Sequence, residues 1–151
     1  QSRSSAASDV YKRQEEQYEM AVGVGECAGV VIDLVATLLF ESEEKIENAS
    51  EALKLHQYSD GIYYAYTSLV NTAKALLLTE GESTNTQANI ITLFETVFDD
   101  KIQLPTVFSE FVYQIQKNEP TKQFAEKYVA DAQLFYAKAT EYRIKNGSDE
   151  A

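Results

Sequence analysis

Apolar residues recur along most of this chain at steps of three and four, the spacing of one face of an α-helix. In residues 58–78, YSDGIYYAYTSLVNTAKALLL, the stripe is Ile62, Tyr66, Leu69, Ala73 and Leu76. Tyr63, Val70 and Leu77 thicken it, which predicts a helix buried over more than a third of its circumference. Ser59 or Asp60 fits as its N-cap and Gly81 as the residue just past its end. Ahead of it, AGVVIDLVATLLF at 28–40 is apolar apart from Asp33 and Thr37. That run continues into SEEKIENASEALKLH, where Val35, Leu39, Ile46, Ala49 and Leu53 keep a heptad-like face. Thr84-Asn85-Thr86-Gln87 reads as a capping box opening a third helix with Ile90, Ile91, Phe94, Val97 and Phe98 on one side. Pro105 and Pro120 suit the first turns of a fourth helix, with Val107, Phe108, Phe111, Val112 and Ile115, and a fifth. The fifth places Phe124, Tyr128, Ala132, Phe135, Ala139 and Tyr142 together and ends at Gly147. Short loops between long amphipathic helices predict an all-α fold, an antiparallel up-and-down helical bundle of about five helices. The core is expected to hold Tyr66, Leu69, Ala73, Leu76, Phe94, Phe111, Phe135 and Ala139.

Composition supports helix and narrows function. With 44% hydrophobic and 25% charged residues but only two prolines, the chain lacks the frequent turns of an all-β protein. The net charge of −11 argues against a general nucleic-acid surface, which draws on Lys and Arg to neutralise phosphates. The acidic run Glu41, Glu43, Glu44 and Glu47 suits a solvated helix face better than a metal site. The thirteen apolar residues at 28–40 fall short of the ~20 a membrane span needs. A single cysteine, Cys27, excludes an internal disulfide framework and fits a reducing, cytoplasmic setting. It lies in the Gly-rich stretch AVGVGECAG, whose GxGxxxG spacing is neither the dinucleotide fingerprint nor a P-loop. No cofactor is expected. One histidine, His56, cannot supply the paired Glu-x-x-His motifs of a di-metal bundle, and no cue links it to a nucleophile.

The aromatic start and alanine- and leucine-rich end of residues 58–78, with the order of helices over 42–145, resemble HEPN domains, all-helical bundles often found in prokaryotic nucleotide- and RNA-related systems. RNase members carry an Arg followed four to six residues later by His near the last helix, a cation and a base placed to act on one phosphate. Here the last arginine is Arg143, and Ser148, Asp149 and Glu150 stand near the place of the histidine. The resemblance therefore implies a non-catalytic member, acting as an accessory or interaction domain and not as an enzyme. The alternative it implies is a stand-alone protein that binds a nucleotide or a nucleotidyltransferase partner, as in toxin–antitoxin pairs. An RNase with a displaced catalytic pair ranks third. Arg143, His56 and Cys27 are the residues to follow, with Val31, Leu34, Leu38 and Tyr64 as a candidate interaction surface.

The N-terminal region reads differently. Residues 4–14, SSAASDVYKRQ, resemble a sequencing-adapter artefact in translation, so 1–14 is expected to be artefactual or disordered. Setting 1–14 aside removes three basic residues and one acidic one and leaves −13. Coding sequence is then expected to continue upstream, with 15–32 a Gly-rich remnant or linker, 33–147 the bundle and 148–151 a disordered tail. EMAVGVGECAGVVIDL resembles the end of Bacteroidetes-type ferredoxin nitrite/sulfite reductase chains, some of which continue into a HEPN-like tail. That resemblance implies a partner in the upstream domain of the same parent chain. A homodimer is the other expectation, since Val30, Val31, Ile32, Leu34, Val35, Leu38, Leu39 and Phe40 surround the helix.

Overall fold

The computed structural model describes residues 28–147. They form five α-helices and one 3-10 turn: α1 (Ala28–Lys54), α2 (Tyr58–Thr79), α3 (Gln87–Phe98), α4 (Phe108–Val112) with its 3-10 extension Tyr113–Gln116, and α5 (Lys122–Gly147). The fold is all-α, and no strand occurs among the described residues. The chain divides into two compact units, Gln1–Leu34 and Val35–Ala151, so the bundle proper is the second. Expectations for 1–27, Cys27 and the Gly-rich loop included, and for 148–151 lie outside the described residues.

The turn between α1 and α2 is set by His56, whose φ of 60° is the left-handed conformation usually left to glycine. The Gln57 amide donates to the Ala52 carbonyl at 2.8 Å and the His56 amide to Leu53 at 3.0 Å, so the last carbonyls of α1 are satisfied inside the turn. This tight reversal starts α2 at Tyr58, with Gln57 as an N-cap that makes no side-chain bond. Ser59 and Asp60 thus lie within the first turn, where the Asp60 charge favours the helix dipole. At the other end of α2, Gly81 has φ 80°, and the Gly81 and Glu82 amides donate to Leu78 and Leu77. The glycine expected to end this helix does so.

α2 is the central helix, buried on two sides. One side carries the expected stripe, with Ile62, Leu69, Ala73 and Leu76 in the core. A second side, about a quarter turn round the helix, is small and polar: Gly61, Ala65, Ser68, Thr72 and Ala75 are all buried. A Cβ on Gly61 would meet Leu53 Cδ2 at 3.2 Å and the Ala49 carbonyl oxygen at 3.4 Å, and the Ser42 hydroxyl donates to the Ser68 carbonyl at 3.3 Å. These contacts put α1 antiparallel to α2, with Leu53 and the Ala49 backbone seated against the small side chains of α2. Two tyrosines of α2 stop short of the core. Tyr63 is 64% exposed, and Tyr66 is half-buried, its hydroxyl donating to Gln87 Oε1 at 3.0 Å. Tyr63 sits beside the stripe rather than in it, and its helix neighbours cover only part of the ring.

One connection departs from simple up-and-down order. The start of α3 meets Tyr66 through Gln87, and Lys101, just past its end, meets Glu80 at 3.2 Å. α3 therefore runs in the same direction as α2, with residues 80–86 leading the chain back along the bundle. Thr86 caps it, its hydroxyl accepting from the Asn89 amide at 3.2 Å, two residues later than a box opened at Thr84 would have placed the start. Residues 99–107 then hold Pro105 ahead of α4, which is shorter than the apolar run suggested and tightens into the 3-10 turn. Pro120 likewise precedes α5, whose first turn is capped by Thr121 accepting from Phe124 at 3.1 Å. Val107 is left 45% exposed.

The centre of the bundle is aromatic. Phe135 of α5 faces Phe94, Phe108 and Phe111 with centroids 5.5, 5.1 and 6.3 Å away, and Phe94 stacks on Phe98 at 4.6 Å. Tyr128 is fully buried and donates its hydroxyl to the Val112 carbonyl at 2.9 Å. Burial pushes its phenol far above the ordinary tyrosine range.

Candidate functional site

The fold places His56 and Arg143 in different parts of the bundle. His56 is exposed in the α1–α2 turn, where its Nδ1 lies 2.8 Å from the Tyr58 hydroxyl, in a shallow recess shared with Pro120 just ahead of α5. Arg143 is half-buried near the far end of α5. From Lys122 to Arg143 the helix rises at about 1.5 Å per residue, so roughly 30 Å separates these two ends. His56 is the left-handed residue of a helix reversal. Groups of three or more His, Cys, Asp or Glu able to hold a metal are absent among the described residues.

The expected interaction surface is only partly available. Leu38 is buried at 5% exposure, while Val31, Leu34 and Tyr64 are half-buried. Lys45 Nζ lies 5.6 Å from the Tyr64 ring centroid, within cation–π range. Leu38, like Val35 and Leu39, falls on the inward side of α1, whose exposed large apolar side chains are Val30 and Ile32 in the first unit and Phe40 in the second. The acidic run of α1 is exposed along its length. The helices of the described residues include none long and apolar enough to cross a membrane.

Two further recesses lie on either side of the segment after α3, and sequence reasoning found neither. The first, of about 340 Å³, lies between α3 and the loop to α4. Glu95 and Asp99, one helical turn apart, line it together with Leu104, Pro105 and Val107. Glu95 Oε2 accepts from the Ser109 hydroxyl at 2.9 Å. The second, of about 580 Å³, gathers Lys101, Lys138 and Lys145 around Tyr142 and Asn146. Its lysines are already engaged: Lys101 with Glu80, Lys138 with the Gln103 carbonyl at 2.6 Å, and Lys145 with Glu141 at 3.9 Å. Burial, then the Glu80 carboxylate, raises the Tyr142 phenol above its usual value. The lysines stand far apart in the chain, so only the fold could bring them together. The one legible signal for the first recess was a pair of acids at i and i+4 ahead of a proline-bearing loop.

An all-α bundle of one long helical hairpin and three further helices, closed by an aromatic core, defines the class of protein. The HEPN domain model matches residues 35–142, most of the chain, and the chain belongs to that family. Among curated proteins no match was found.

Proposed function

We propose that this chain carries a non-catalytic HEPN domain that works by binding, as an accessory or interaction module of a larger protein. The observation that carries this reading is that Ser148, Asp149 and Glu150 follow Arg143 where the RNase members have histidine, while the one histidine, His56, lies by the opposite end of α5. The charge of −11 adds to it, because a strand of RNA would approach against a repulsive field. In this reading the partner is the upstream domain of a nitrite/sulfite reductase-like parent chain, or a second copy, covering the exposed side chains of α1. The alternative, a stand-alone protein binding a nucleotide, draws on the lysine-lined recess at Lys101, Lys138 and Lys145, though Glu80 and Glu141 offset much of its charge.

Incubation of the purified chain with single-stranded RNA tests the catalytic half of this reading. Intact RNA is expected, and cleavage that disappears in Arg143→Ala would overturn it. For the parent chain, the upstream reading frame decides: hundreds of coding residues with paired cysteine motifs support the fusion, and a start codon close to residue 15 refutes it.

A further inference from the structure

We propose that α1 is exchanged between two copies of this chain: the turn Leu55-His56-Gln57 straightens into helix, and residues 35–54 of one copy seat on α2 and α5 of the other. The inference goes beyond the reading of this domain as a binding module and does not depend on it. Exchange of an element conserves its contacts, so a swapped dimer differs from the monomer mainly at the hinge. The contacts that pass from within one chain to between two include Leu53 and the Ala49 backbone against Gly61, Ser42 Oγ on the Ser68 carbonyl, and Gln133 Nε2 on Ser50 Oγ. The pairs Ala49 with Gly61 and Ser42 with Ser68 are both symmetric about position 55. The same register carried through a straight hinge sets the two hinges of a dimer level with each other, at its twofold axis. Short hinges under strain favour such exchange.

The hinge suits both states. His56 carries a Cβ at φ 60°, a conformation that glycine takes freely and a residue with a side chain takes at a cost. Neither glycine nor proline stands in Leu55-His56-Gln57, and Leu and Gln are good helix formers. In the closed turn the His56 amide donates to the Leu53 carbonyl and the Gln57 amide to Ala52. In a continuous helix the same amides trade carbonyls, His56 to Ala52 and Gln57 to Leu53, so neither bond is lost. The first amides of α2 gain partners: Tyr58, Ser59 and Asp60 meet the carbonyls of Lys54, Leu55 and His56, where the closed turn offers only the N-cap Gln57, whose side chain makes no bond. A contact given up is the exposed one between His56 Nδ1 and the Tyr58 hydroxyl. Leu55 supplies an independent sign. The closed turn leaves it 63% exposed, yet Leu55, Tyr58, Ile62, Tyr66 and Leu69 recur at steps of three, four, four and three. Straightening the hinge extends the apolar stripe of α2 by one turn and puts Leu55 on it.

The test is refolding of the full chain at high protein concentration, followed by size-exclusion chromatography with light scattering and isolation of the dimer. The dimer fraction is expected to be about tenfold higher in His56→Ala, which disfavours the left-handed turn, than in His56→Gly, which favours it. Leu55→Glu should lower the dimer fraction several-fold and leave the thermal midpoint of the monomer unchanged, because Leu55 is exposed in the closed turn. Chain exchange is read by a cross-link across the α1–α2 seam. Lys45 and Tyr64 are both half-buried there, with Lys45 Nζ 5.6 Å from the Tyr64 ring centroid, so a short bismaleimide should join the thiols of Lys45→Cys/Tyr64→Cys in a Cys27→Ser background. On a denaturing gel the link should close within one chain in the monomer and join two chains in the dimer. A dimer formed through the outward side of α1 would keep the link within one chain and respond to neither His56 variant. The proposal is overturned if the native chain and His56→Ala both elute only as monomer, if the isolated dimer is linked only within chains, or if His56→Gly and His56→Ala dimerise equally. RNA cleavage bears on the binding-module reading and leaves these outcomes separate.

Discussion

Phe135→Ala removes the ring on which three helices converge. The side chain is 1% exposed and its neighbours Phe94, Phe108 and Phe111 come from α3 and α4, so no small movement of one helix can refill the space. A buried Phe truncated to Ala costs about 3–5 kcal/mol through lost transfer energy and the cavity left behind. The three edge-on and tilted ring contacts, each adding up to about 1 kcal/mol, place this site at the upper end of that range. Against a total stability of roughly 5–15 kcal/mol, the loss is a large fraction. Urea denaturation followed by far-ultraviolet circular dichroism would show the midpoint falling by about 2 M, for a slope of ~1–3 kcal/mol per molar urea. Phe135→Leu keeps most of the volume and should lose less than half as much, which guards against a variant that does not fold at all. A loss below about 1 kcal/mol in Phe135→Ala, with an unchanged slope, would show that the aromatic cluster is not the centre of the bundle.

Further outcomes follow from single contacts. Tyr128→Phe leaves the buried Val112 carbonyl without its 2.9 Å donor and should cost about 1–3 kcal/mol in the same denaturation series. In the native chain the raised Tyr128 phenol stays protonated after its unfolded counterpart ionises near pH 10, so its contribution is complete below pH 10 and lost as pH rises above it. Thermal midpoints measured from pH 8 to 11 should therefore fall more steeply for the native chain than for Tyr128→Phe, and parallel curves would refute the assignment. His56→Gly should keep or raise stability by up to about 1 kcal/mol, because glycine takes the left-handed conformation without a Cβ penalty. A marked loss would mean that the Tyr58 contact, not the backbone, holds the turn. Sedimentation velocity of the full chain should show self-association through exposed side chains of α1, relieved by deleting 15–32. A clean monomer at high concentration contradicts it.

The helices and their core were legible where large apolar residues repeat. Leu69, Ala73, Leu76, Phe94, Phe111, Phe135 and Ala139 are buried as their spacing implied, because a wide apolar stripe has only one way to leave water. The second buried face of α2 was not legible. Gly61, Ser68 and Thr72 carry no hydrophobic signal, and their burial follows from the close approach of α1, a property of the pair and not of either helix. Helix starts shifted for a related reason. Several Ser, Thr and Asp residues could cap α2 and α3, and the tight turn at His56 and the long return through 80–86 decided among them. Of the candidate site residues, Leu38 read as surface although it stands three residues after Val35, beside the heptad-like face that turns inward. The recess at Glu95, Asp99 and Val107 depends on the path of a loop, which side-chain periodicity does not encode.

The proposal that this HEPN domain does not cleave RNA is the claim to test most directly. The decisive measurement is the fate of a 5′-labelled single-stranded RNA incubated with the full chain without added metal, resolved on a denaturing gel beside Arg143→Ala and His56→Ala variants whose helical circular dichroism is intact. The account predicts uncut RNA in all three lanes. Cleavage by the native chain that is lost in either folded variant would contradict it.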